Sequence, residues 1–258
     1  MDSVGWFPRN RFSSLTCLRL TDSRPLNKDV LPSLMLFLTH CPGLQDLFVR
    51  LITPESPAAF RGARAVALPH LRRLSIGLSS FPTVREFLSY LEVPTDLALR
   101  VHLMPDQKLP HLDVFARMGV LKKCTQMGMT FSNTLIITVV GAMCGVRLES
   151  AALAHPSAAC RSWICSTRDA DSYQWEILAL HVDELWITAL NGHACHPALL
   201  EEALALFPSL SSIHIHGNWS PMDIQTILGK VPNHRGTYSF RCPNLTALDL
   251  WQQESINL

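Results

Sequence analysis

Leucine and its relatives recur at one spacing along this chain. Leu15, Leu18 and Leu20 stand as L-x-x-L-x-L. The spacing returns at Leu44, Leu47 and Val49, and again at Leu71, Leu74 and Ile76. Farther on it recurs at Val182, Leu185 and Ile187, at Leu210, Ile213 and Ile215, and at Leu245, Leu248 and Leu250. The last two positions of each triplet alternate with other residues, the pattern of a strand with one buried face. Between triplets the period changes. Leu31, Leu34, Met35 and Leu38 have the spacing of one helical face and predict a helix over 29–40. Pro32 suits its first turn, where a missing N–H costs little, and Cys41-Pro-Gly43 stops it. Val84, Phe87, Leu88 and Leu91 predict a second helix over 83–91, and alternation predicts a strand over 97–103. Residues 53–65 carry turn formers and read as a loop. Helices are likewise expected over 197–207, with Leu199, Leu200, Ala203, Leu204 and Phe207 inward, and over 221–228, where Ser220 is the N-cap and Pro221 the first residue.

The spacing between triplets fixes the expected architecture. Leu44 follows Leu15 by 29 residues, Leu71 follows Leu44 by 27, Ile213 follows Leu185 by 28, and Leu248 follows Ile213 by 35, with the extra residues in 233–240. One strand and one helix cannot bury their apolar faces alone, but stacked copies can. The expected fold is therefore an α/β leucine-rich-repeat solenoid, a curved parallel sheet with helices on its convex side. It forms a single domain over 1–258, regular at 12–103 and 176–251. Over 104–175 the period is lost, as degenerate repeats or an insertion. A helix over 109–123 and strands over 134–140, 146–151 and 161–166 are expected there, continuing the sheet. Neither Phe12 nor Leu250 is flanked by the polar cap that a solenoid end needs. The chain is thus expected to be a piece of a longer protein or a shortened reading of its gene.

Strand alternation also nominates a site. Trp186 and Thr188, then His214 and His216, then Asp249 and Trp251 point away from the core of three successive strands. Neighbouring strands lie about 4.8 Å apart, so these six residues form one patch on the concave face. Two tryptophans beside two histidines suit a protein-binding anchor, because aromatic residues dominate interface hot spots. The plainer reading is that the tryptophans cover the sheet beside a loop or a missing repeat. Arg19, Phe48, Arg50, Ser75, Arg100 and His102 extend the same face more sparsely.

Composition narrows the partners. The chain has 258 residues, 48% hydrophobic and 17% charged, with a formal net charge of +1. That is enough apolar material for a core, with no electrostatic pull toward nucleic acid or an anionic membrane. The most apolar stretch, 134–146, is too short to span a bilayer. The eight cysteines show no disulfide framework and no secretory leader opens the chain, so reduced thiols in the cytosol or nucleus are expected.

Chemistry is sparse. His193, Cys195 and His196, with His181, His214 and His216, make a pool of ligand types, but no CxxC pair accompanies them. Chance clustering explains them better, and no metal or other cofactor is expected. No G-x-S-x-G, P-loop or H-E-x-x-H stands in the chain. Cys195 beside His196 is the nearest thing to a reactive thiol, and adjacent residues rarely form a dyad. The chain is not expected to be an enzyme.

The wording of the repeats carries a resemblance. Leu38-Thr-His-Cys-Pro-Gly-Leu-Gln-Asp-Leu47, Ala67-Leu-Pro-His-Leu-Arg-Arg-Leu-Ser-Ile76, Ala205-Leu-Phe-Pro-Ser-Leu-Ser-Ser-Ile-His-Ile215 and Phe240-Arg-Cys-Pro-Asn-Leu-Thr-Ala-Leu-Asp-Leu250 resemble the leucine-rich half of F-box proteins of mushroom-forming fungi. The resemblance implies a substrate receptor of a ubiquitin ligase. There an F-box holds the Skp1-type adaptor and the repeats choose the protein target. No F-box is seen before Phe12, so the adaptor is an expected partner only where an F-box lies outside this chain. The alternative is a free-standing leucine-rich-repeat scaffold with no link to a ubiquitin ligase.

Overall fold

The computed structural model describes residues 12–20, 30–50, 64–79, 81–103, 119–132, 134–150, 181–190, 204, 207–217, 230–232, 238–240 and 244–251. In chain order the elements begin with β1 (Cys17–Leu20), α1 (Val30–Thr39), β2 (Asp46–Arg50), β3 (Val66–Ala67), β4 (Arg73–Ser79), α2 (Phe81–Ser89), β5 (Leu91–Glu92) and β6 (Ala98–Leu103). A 3-10 turn (Val120–Lys123) leads into β7 (Cys124–Phe131), β8 (Leu135–Gly141) and β9 (Gly145–Ser150). Then follow β10 (Glu184–Ala189), β11 (Ser212–His216), β12 (Lys230–Pro232), β13 (Tyr238–Phe240) and β14 (Ala247–Trp251).

Ten strands form one open sheet in the order β1-β2-β4-β6-β9-β8-β7-β10-β11-β14. Its register carries the sequence period. Cys17 pairs with Asp46, Asp46 with Arg73, Glu184 with Ser212 and Ser212 with Ala247, so the repeat steps become neighbouring strands. One backbone bond recurs as the chain enters these strands. Gln45 N–H donates to Thr16 O, Arg72 to Gln45, Ser211 to Asp183 and Thr246 to Ser211, each at 2.8 Å.

Four of the six triplets bury one face, while Leu15, Leu18 and Leu20 of the first are only partly buried. Leu44, Leu47, Val49, Leu71, Leu74, Ile76, Val182, Leu185, Ile187, Leu210, Ile213 and Ile215 are all buried. A leucine or isoleucine removed from water contributes about 1.5–3 kcal/mol relative to leaving it exposed. Helix α1 packs Leu31, Leu34, Met35 and Leu38 into the same core, as its spacing predicts, and leaves Leu36 exposed. Helix α2 brings Val84, Phe87 and Leu88. It starts two residues before the expected bound, with Pro82 in its first turn. Leu91 is buried as expected, but as part of β5, where it pairs with Val66 of β3.

The middle of the sheet corrects the expectation of an all-parallel sheet. Strands β7, β8 and β9 are a meander, and β8 runs antiparallel to both neighbours. From β6 the chain reaches β7, three positions along the sheet, then steps back so that β9 lies parallel to β6. The reason is connection length. Residues 132–134 and 142–144 are the links, and parallel strands need a crossover of a dozen residues or more. Gly141 N–H donates to Cys144 O at 2.9 Å to close the second link. A Cβ at Gly141 would run into the Lys123 carbonyl, so this hairpin needs its glycine. The strands over 134–140 and 146–151 are present, β7 is an addition, and of the helix expected over 109–123 the described part is the 3-10 turn. The expected strand over 161–166, the helix over 221–228, most of the helix over 197–207 and most of the loop over 53–65 lie outside the described residues. Leu204 is helical there, and it and Phe207 are buried.

At β14 the pattern continues but the burial does not. Leu248 and Leu250 are 36% and 46% exposed, where their register partners Ile213 and Ile215 are 0% and 2% exposed. Among the described residues β14 is an edge strand, with one neighbour to cover it.

Candidate binding face

The face of the sheet opposite the buried triplets is a register of side chains, and it divides into two regions. On the β10-β11-β14 side, Trp186 pairs with His214 and His214 with Asp249, while Thr188 pairs with His216 and His216 with Trp251. The structure thus brings together all six residues that alternation nominates. Trp186 stacks on the His214 ring with centroids 3.9 Å apart and 13° between planes. Trp251 meets Trp186 edge-on at 6.2 Å and His216 edge-on at 6.3 Å. Edge-to-face contacts suit the ring quadrupoles. Trp186 stays 37% exposed and Trp251 55% exposed.

Carboxylates fix these rings. Trp186 Nε1 donates to Glu184 Oε1 at 2.7 Å, and Gln126 Nε2 on β7 donates to Glu184 Oε2 at 2.7 Å. His214 Nε2 lies 3.2 Å from Glu184 Oε1 and 2.8 Å from Ser212 Oγ. Its Nδ1 lies 2.8 Å from Asp249 Oδ2, close enough for charge pairing but off the direction that a hydrogen bond needs. Opposite Trp186 on β7 stands Gly128, which has no side chain to cover that side of the indole. Alternation did not single out Glu184 and Gln126. The available signal was that Glu184 lies two residues before Trp186 and so shares its face.

On the β1-to-β8 side the chemistry is basic. A groove of about 730 Å³ runs over β1, β2, β4, β6, β9 and β8. Arg19, Arg73, Arg100 and Arg147 line it, with Phe48 and Met143. Arg19 stacks over the Phe48 ring at 5.6 Å. Arg73 holds Asp46 with two contacts, Nε at 2.5 Å and Nη2 at 3.0 Å, and this hydrogen bond raises the Arg73 pKa further. Glu149 is shared: Arg100 Nη2 lies 3.3 Å away, His102 Nδ1 3.5 Å and Arg147 Nη2 3.6 Å. Burial pushes the His102 pKa below its ordinary value, helped by Arg100 and Arg147 and opposed by Glu149. Met143 stands at the tip of the β8–β9 hairpin, 79% exposed. Arg19, Phe48, Ser75, Arg100 and His102 occupy the expected face. Arg147 and Glu149 were not foreseen, because they sit on the meander.

Under the groove, Cys124 and Cys144 are buried free thiols with Sγ atoms 4.0 Å apart. Burial first, then the neighbouring thiol, pushes the Cys124 pKa up to about 12, so it stays protonated. Among the described residues no group of three or more His, Cys, Asp or Glu could hold a metal ion. His193, Cys195 and His196 lie outside them. No helix among the described residues is long and apolar enough to cross a membrane. Comparison with protein-family models, with curated proteins and with solved structures finds no match.

Proposed function

We propose that this chain is a protein-recognition module that grips its target with the open face of a leucine-rich-repeat solenoid, as the target-binding part of an F-box-type receptor. The observation that carries the reading is the aromatic cluster. Glu184 holds Trp186 and His214, Trp251 meets Trp186 edge-on, and both indoles remain open to solvent. Aromatic rings already packed on one another lose little entropy on binding and give large contact area. The register steps of 29, 27 and 28 residues from β1 to β2, β2 to β4 and β10 to β11 support the repeat reading.

The test is affinity capture of the tagged chain from its own cells, with quantitative mass spectrometry. The expected result is one enriched target that is lost with the double variant Trp186→Ala and Trp251→Ala, while the variant keeps its thermal unfolding midpoint. A target retained by the folded variant would contradict the reading. Co-enrichment of the Skp1-type adaptor would support the receptor role. A target without the adaptor would favour a free-standing scaffold.

A further inference from the structure

We infer that the groove over β1, β2, β4, β6, β9 and β8 takes an extended segment of a partner protein in which apolar residues are interspersed with Asp and Glu. This rests on reading the open face as a protein-recognition surface, and adds the chemistry of what one region of it holds.

Charge is the first observation. Arg19, Arg73, Arg100 and Arg147 line the groove, against Asp46 in its wall and Glu149 beside it. Asp46 is occupied by Arg73, and Glu149 is divided among Arg100, Arg147 and His102. Positive charge is therefore in excess. The Nε atoms of Arg147 and of Arg50, on the neighbouring register row, are buried and have no hydrogen-bond partner. A buried donor without a partner is costly. A carboxylate supplies two acceptor oxygens in the geometry that a guanidinium fork matches.

Apolar surface is the second. Phe48 and Val140 line the groove, and Met143 projects over it from the hairpin tip. An unbranched thioether adapts to varied side chains. Phosphate backbones fit this site less well, since they offer no apolar side chain to Phe48, Val140 and Met143. Size is the third. Five strand-to-strand steps of about 4.8 Å span about 24 Å, which about seven residues of extended chain cross.

The test is fluorescence anisotropy with the purified chain and three labelled probes: a peptide alternating Glu and Leu over about seven residues, its Lys-for-Glu counterpart, and an oligothymidylate of similar length. The Glu–Leu peptide should bind at least about tenfold more tightly than the Lys–Leu peptide. Arg100→Glu with Arg147→Glu should weaken it about tenfold. Met143→Ser, at an exposed position, should weaken it about threefold. Equal binding of the two peptides, preference for the oligothymidylate, no binding of the Glu–Leu peptide, or variants that bind it unchanged would each overturn the inference. If the peptide test fails while Trp186→Ala with Trp251→Ala still abolishes target capture, the groove is wrong and the recognition reading stands. If the peptide binds as expected while that capture is unchanged, the aromatic cluster is wrong and the groove stands.

Discussion

The two parallel regions of the sheet, β1-β2-β4-β6 and β10-β11-β14, share one pattern of buried positions and carry opposite chemistry on their open faces. Leu47, Leu74, Leu185 and Ile213 do the same packing at equivalent register. The next residues in the chain, Phe48, Ser75, Trp186 and His214, keep different company: Arg19 lies over Phe48, whereas Trp186 and His214 stack on each other beside Glu184. In the first region guanidinium groups dominate; in the second, Trp186 and His214 are held by carboxylates. Packing restricts every second residue of a repeat strand and leaves the alternate residue free to carry recognition. At β14 the comparison reaches its limit, because Leu248 and Leu250 keep the pattern and lose the burial. Burial is set by having a neighbour on both sides, and the pattern alone does not guarantee it.

The sharpest way to test this contrast is to cut the same pattern position in both regions. Leu74→Ala removes a side chain that is 1% exposed and should cost about 2–5 kcal/mol in urea unfolding. Leu250→Ala removes one that is 46% exposed and should cost under about 1 kcal/mol. Equal losses would mean that β14 is covered as the inner strands are. The next effect lies in binding. Trp186→Ala should remove about 2 kcal/mol of target affinity by calorimetry. Arg100→Gln should remove about 0.5 kcal/mol, since the side chain is half exposed, and only at low ionic strength. A Trp186 effect that vanishes with added salt would erase the distinction.

Smaller effects probe the face from beneath. Iodoacetamide should modify exposed Cys17 before buried Cys41 and Cys124, whose pKa values burial raises. Peptide mapping of partly labelled protein would show the order, and early labelling of Cys124 would mean that the meander opens. The smallest effect is that of His102. Its folded pKa lies below the ordinary 6.5, so the unfolded chain binds more protons in the window between the two values. Stability should therefore be unaffected above that window and fall as pH drops through it. His102→Gln should flatten this part of a plot of urea midpoint against pH.

Much of this was legible in the sequence, for a definite reason. A parallel repeat strand announces itself by where its leucines stand, and a helix between repeats by a change of period, as at Leu31 to Leu38. The six residues of the aromatic patch were readable because alternation around each recurring triplet places them on one face of adjacent strands. The meander was not, because alternation is identical for parallel and antiparallel strands. Cys124–Phe131 buries Met127 and Met129, which an L-x-x-L-x-L search passes over. A signal did exist. Val140 and Val146 end and begin two strand patterns only six positions apart, too few for a parallel crossover. Arg147 and Glu149 were missed with it, and with them the excess of positive charge in the groove.

The most direct test of the open face as the recognition surface is hydroxyl-radical footprinting of the chain, free and bound to its captured target. Trp186, Trp251 and Met143 are exposed side chains on that face, and Leu36 is an exposed control on α1. Recognition by the open face predicts that the target protects the two tryptophans and Met143 from oxidation while Leu36 reacts as before. Protection of Leu36 with both tryptophans unchanged would contradict it and would place the target on the helical side.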